Sequence, residues 1–168
     1  MKLLTRIGIV SLSLVLMQCE KDDICAESTP TTPSLIIRFY DFYNPSELKA
    51  AEDLNVFGID NSGNTFDIIG QTTLTTDSLA LPLPTNLNAA SFRLYLGYLD
   101  EETIGNGDDL LTEFQTEDLF VSRACGFKTF YSELSAETQT DSDNWILSTE
   151  VIQTEINNTI HAHVKIYH

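Results

Sequence analysis

The run Trp145-Ile-Leu-Ser-Thr-Glu-Val-Ile-Gln-Thr-Glu-Ile156, then Asn157-Asn158, then Thr159-Ile-His-Ala-His-Val-Lys-Ile-Tyr167, decides the fold class. Asparagines tolerate positive φ, so Asn157-Asn158 reads as a two-residue hairpin turn. That turn pairs Ile156 with Thr159, Val151 with Val164, Thr149 with Ile166 and Glu150 with Lys165. Val151, Val164 and Ile166 then share one face, and an opposite-charge pair sits on the other. An apolar match and a charge match agree on one register, which predicts an antiparallel β-hairpin.

The same alternation recurs upstream. Ser34 to Phe42 places Leu35, Ile37 and Phe39 on one face and Arg38 and Tyr40 on the other. Phe92 to Leu99 reads as an inner strand with Phe92, Leu94, Leu96 and Tyr98 together. Asn55 to Asp60 and Thr65 to Ile69 flank the turn residues Asn61-Ser62-Gly63-Asn64. Gln71 to Thr75 and Ser78 to Leu83 are extended. Leu110 to Glu117 and Leu119 to Arg123 pair with each other, and Lys128 to Leu134 continues extended. Asn44-Pro45-Ser46-Glu47 has the residues of a helix start and predicts a helical turn to about Asp53. Gly105-Asn106-Gly107-Asp108 and Ser135 to Asn144 read as loops. Short strands with turns every 8–12 residues predict an all-β, antiparallel β-sandwich of immunoglobulin-like type, with a small closed β-barrel as the alternative.

The chain has 168 residues, of which 42% are hydrophobic, with nine Phe and six Tyr, enough for one folded domain. Its first residues are of another kind. A basic start (Lys2, Arg6) precedes an 11-residue apolar stretch, Ile7 to Met17, and Cys19 follows. A bilayer-spanning helix needs roughly 20 apolar residues, so the pattern is that of an export signal. Leu16 and Cys19 suit a lipoprotein signal, whereas Gln18 departs from the usual small residue. The alternative is a plain signal peptide with an incidental cysteine. The expected organisation is a signal peptide over 1–18, a lipidated tether over 19–33 and one domain over 34–168. Cleavage before Cys19 removes two basic residues and no acid, leaving 7 basic against 25 acidic, a net charge of −18. Such a surface excludes nucleic acid as a partner. It is also repelled by anionic headgroups, so membrane attachment falls to lipid on Cys19.

With Cys19 assigned to lipid, Cys25 and Cys125 remain, a pair in an oxidising compartment and hence a candidate disulfide. Two buried free thiols are the alternative. Other motifs are weaker. His161 and His163 fall on the Lys165 face of the hairpin, and a metal site there lacks a third ligand. Asp60-Asn61-Ser62-Gly63-Asn64 lacks the acid spacing of a calcium loop. Gly105-Asn106-Gly107 lacks the context of a phosphate cradle. No catalytic constellation, cofactor motif or metal cluster emerges. Asp77-Ser78-Leu79 matches an Asp-Ser/Thr-aliphatic motif used for O-glycosylation in Bacteroidota, making Ser78 a candidate site.

Cys19-Glu-Lys-Asp-Asp23 resembles the lipoprotein export signal of Bacteroidota, which marks lipoproteins for the outer membrane and often for the cell surface. The segments Lys21-Asp-Asp-Ile-Cys25, Thr29-Pro-Thr-Thr-Pro33, Leu35-Ile-Ile-Arg-Phe-Tyr-Asp41, Asn44-Pro45 and Val121-Ser-Arg-Ala-Cys-Gly-Phe-Lys128 resemble a small-lipoprotein family of unknown function in Flavobacteriia and related Bacteroidota. The resemblance implies lineage and envelope location, and it assigns no catalytic residue or ligand. The functional expectation is an outer-membrane lipoprotein, surface-exposed or else periplasm-facing, acting as a non-catalytic binding or accessory subunit. Its partner would be an outer-membrane barrel or a surface protein or glycan. A glycan-acting hydrolase using paired carboxylates is the alternative.

Overall fold

Leu35, Ile37 and Phe39 are fully buried while Arg38 and Tyr40 are not, as period-two alternation demands of a half-buried strand. The computed structural model describes residues 24–29, 31–70, 73–99 and 105–168. Residues 1–23, including the expected signal peptide, Cys19 and the acidic run behind it, lie outside the described residues. Ten strands are present among those described: β1 Leu35–Tyr40, β2 Ala51–Ile59, β3 Thr65–Asp67, β4 Leu74–Thr76, β5 Ser78–Leu81, β6 Ala89–Leu96, β7 Asn106–Ser122, β8 Gly126–Thr138, β9 Ser148–Val151 and β10 Val164–Tyr167.

They form two sheets, neither of them closed, so the sandwich expectation holds and the barrel alternative does not. One sheet runs β5-β1-β10-β9, and the other runs β3-β2-β6-β7-β8 with β4 also on β2. β1 pairs with β10 in parallel, whereas its pairing with β5, that of β10 with β9, and those of β6 with β2 and β7 are antiparallel. By compactness the chain divides into two units. The larger is Thr31–Leu119 with Lys128–His168, and the smaller joins residues 24–29 to Phe120–Phe127.

The larger unit holds the core, which Leu35, Leu81 and Ile166 enter from one sheet and Val56, Leu94 and Leu110 from the other. Trp145 ties the two together. Its ring lies 6.2 Å from that of Phe39 on β1, and its indole N–H donates to the Leu94 carbonyl on β6 at 3.0 Å. A buried tryptophan needs such an acceptor for its donor.

The register read from the last residues is present: Val164 faces Val151, Lys165 faces Glu150 and Ile166 faces Thr149. The two-residue turn is not. Residues 152–163 form a twelve-residue connection in which Ile156 is fully buried and bridges Tyr131 of β8. Core burial of Ile156 outweighs the local preference of the asparagines. Four other readings change. No helix forms after Asn44, because Asp41 accepts the N–H groups of Tyr43 and Asn44, both at 2.8 Å, and Lys49 N–H bonds back to Phe39. Gly107 and Asp108 belong to β7 rather than to a loop, since each pairs with a β6 residue. The stretches 110–117 and 119–123 do not pair with each other; 110–122 lies on one 17-residue strand that pairs with β6 and β8. Ser135 to Thr138 still belongs to β8, and the loop begins after it.

Candidate functional site

The outer face of the six-stranded sheet carries what the core does not use. Side chains opposite the buried set point outward, which puts Phe57 of β2 beside Tyr95 of β6. Tyr98 joins them although strict alternation would send it to the core side with Phe92 and Leu94. The strand ends at Leu96, Gly97 takes φ +75°, and Tyr98 N–H bonds to the Asp53 carbonyl at 2.8 Å. A left-handed residue breaks the period of two, and glycine adopts it without steric cost. Asp53 itself has φ +48°, at the irregularity where β2 shifts its pairing with β4 between Ala51 and Leu54.

The three rings form a triangle. Centroids are 5.8 Å apart for Phe57–Tyr95, 6.1 Å for Phe57–Tyr98 and 5.8 Å for Tyr95–Tyr98, the first pair nearly perpendicular. All three separations lie in the favourable range for aromatic pairs, the two pairs with Tyr98 being tilted, and all three side chains are half-buried. Tyr95 stands opposite Gly107, where an added Cβ would come 2.4 Å from the Tyr95 ring. A glycine here lets the ring lie down on the neighbouring strand.

One residue pair along the same face, Arg93 and Asp109 form a two-pronged ion pair, Nε to Oδ1 at 2.6 Å and Nη2 to Oδ2 at 2.8 Å. Donating to the Asp109 carboxylate holds the guanidinium pKa above its ordinary value, against the opposing effect of burial. This pair borders a recess of about 140 Å³ shared with Gln139, Thr140 and Asp141. Past Gly97, a wider depression of about 630 Å³ is lined by Lys49, Glu52, Asp53, Leu96 and His168. Lys49 is engaged there, donating to the His168 carbonyl at 2.9 Å and lying 3.9 Å from Asp41. With both cations paired, Glu52, Asp53 and Asp141 leave the ring platform an acidic rim.

Asp108 is buried below the opposite face, and its Oδ2 accepts the Ile146 N–H at 2.8 Å. Burial pushes its carboxyl pKa up, offset by that N–H and by the Asn144 side chain. It lines neither depression, so its raised pKa belongs to packing rather than to a solvent-facing acid. Among the described residues, no group of three His, Cys, Asp or Glu is placed to hold a metal ion.

The residues singled out from sequence are scattered. Cys25 and Cys125 are joined in a disulfide within the smaller unit. Ser78 is half-buried at the start of β5, opposite Arg38. Asp60 closes its turn by accepting the N–H groups of Ser62 and Asn64 at 2.8 Å, and the Asn64 side chain above all holds its pKa down. His161 is exposed, but His163 is fully buried, which corrects its placement on the polar face. Its Nδ1 accepts the Ile36 N–H at 2.9 Å, a bond across sheet neighbours that local patterning does not show. The ring triangle was missed. Phe57 and Tyr95 occupy the positions that alternation leaves to solvent, and that misplacement was its only signal in the sequence.

Residues 53–168 match the model of a family of unknown function, DUF6452. No curated protein and no solved structure matches the chain.

Proposed function

The chain belongs to the DUF6452 family, and we propose that it is an exported lipoprotein serving as a non-catalytic binding or accessory subunit of an envelope assembly. Acyl chains on Cys19 hold it to the outer membrane, and the run behind Cys19 supports transfer to the cell surface. The observation that carries the binding role is the half-buried triangle of Phe57, Tyr95 and Tyr98, laid on a sheet face with an acidic rim. Aromatic side chains offer large contact area at small entropic cost and are enriched where proteins bind. The rim favours a partner that is neutral or positively charged where it meets the rings, a surface protein or an uncharged glycan. A non-catalytic role is supported by Asp108, an acid whose pKa burial raises, since among the described residues it lines neither of the two depressions beside the rings.

A photo-crosslinking amino acid at Tyr98, in cells of the native host, tests this. The expected result is a discrete crosslinked envelope partner at Tyr98, absent when the probe stands at the exposed Ile160. A protein that crosslinks to nothing and hydrolyses a surface glycan would establish the hydrolase instead. The anchor is tested separately by palmitate labelling, which Cys19→Ala should abolish. Protease shaving of intact cells reads which side the domain faces.

A further inference from the structure

We infer that the turn between β7 and β8 is a membrane-seating tip, with the rings of Phe120 and Phe127 entering the interface of the bilayer that anchors the chain. The inference rests on the lipid-anchor reading above and adds a protein surface to it. β7 ends at Ser122 and β8 begins at Gly126, so Phe120 and Phe127 flank a three-residue turn. Their rings pack edge to face at 5.4 Å, yet they are 55% and 67% exposed. Paired phenylalanines on a turn are costly to leave in water unless something apolar covers them.

The occupant follows from the covalent chain. The turn is tied by the Cys25–Cys125 disulfide, with the two Cα atoms 4.8 Å apart. Cys125 N–H donates to the Ser122 hydroxyl at 3.0 Å, which closes the turn around it. Six residues lead from Cys19 to Cys25, a reach of at most about 20 Å. With lipid on Cys19, the turn is leashed within that distance of the bilayer. Ile24, beside the disulfide in the same unit, is 83% exposed and adds a third apolar side chain. Charge agrees. The stretch Leu119 to Lys128 contains Arg123 and Lys128 and no acid, in a mature chain of 7 basic and 25 acidic residues. In an otherwise repulsive protein, whose tether carries Glu20, Asp22 and Asp23 and whose smaller unit carries Glu27, the turn itself is an acid-free stretch that headgroups can meet. Phenylalanines flanked by basic residues suit that interface.

The test uses the chain from Cys19 onward, with Cys25–Cys125 oxidised, so that Cys19 is the free thiol. Coupling it to a maleimide phospholipid in phosphatidylethanolamine/phosphatidylglycerol vesicles fixes the anchor whether or not cells lipidate Cys19. Failure of the tip is thereby separated from failure of the anchor, which palmitate labelling reads. Phe127→Trp is compared with the parent chain, whose Trp145 supplies the background. The expected result is a blue shift, on vesicle coupling, of the emission that the substitution adds, and loss of most of that emission when the lipids are brominated. Added emission that stays red and unquenched on coupled vesicles would overturn the inference. So would a blue shift without vesicles accompanied by dimers in sedimentation, which would make the occupant a second copy of the chain.

Discussion

His163 is held by both backbone groups of Ile36, one through its imidazole Nδ1 and the other through its own N–H. Because Nδ1 accepts, the ring is the neutral tautomer protonated at Nε2. A second proton has to displace the Ile36 N–H inside the core. Burial accordingly lowers the His163 pKa, and burial is also the largest cause of the lowered value at His168. The unfolded histidine titrates near 6.5. Below that value the unfolded chain binds more protons than the folded one, so stability rises with pH up to about 6.5 and is lost as pH falls. His163→Asn keeps an acceptor close to Nδ1. It should lower stability at neutral pH by about 1–2 kcal/mol through lost packing. It should also flatten the acid-side slope in urea titrations between about pH 5 and 7, leaving the His168 contribution. An unchanged slope would mean that another group governs the acid side.

Among the elements, the connection from β9 to β10 separates what was legible from what was not. The pairing register could be read because it depends on which residues share a face, a property printed in the sequence at period two. The path between the strands could not, because Ile156 is captured by Tyr131, a residue 25 positions earlier. The same distinction explains Tyr98, whose face depends on one positive φ at Gly97, and Gly107, whose place depends on Tyr95 across the ladder. Core strands with apolar alternation were readable; a surface platform assembled from β2, β6 and the residues after it was not. This makes Ile156 a sharp probe. Ile156→Ala should destabilise the protein by about 2–4 kcal/mol, the usual cost of emptying a fully buried site. Ile160→Ala, in the same connection but 81% exposed, should stay within about 0.5 kcal/mol. Denaturant midpoints of the two variants read the contrast, and equal effects would show that the connection is not docked through Ile156.

At the scale of the whole molecule, the stretch that matches the family and the stretch that folds do not coincide. The match begins at residue 53, inside β2, whereas β1 lies before it. β1 is no appendage, because it is the strand between β5 and β10 and the parallel partner of the last strand. Leu35, Ile37 and Phe39 are each fully buried, and exposing their partners would cost about 2–3 kcal/mol per side chain. Three such losses are comparable to the entire net stability of a domain, about 5–15 kcal/mol. Deleting β1 also leaves β5 without its partner in that sheet and turns β10 into an open edge of the kind that aggregates. Residues 53–168 produced alone should therefore show no cooperative urea transition, while residues 24–168 should unfold in one. Adding a peptide of residues 31–52 to the short chain should restore part of the native circular dichroism by returning β1 to its slot. A cooperative transition in the short chain without the peptide would mean that the four-stranded sheet is held by β9 and β10 alone.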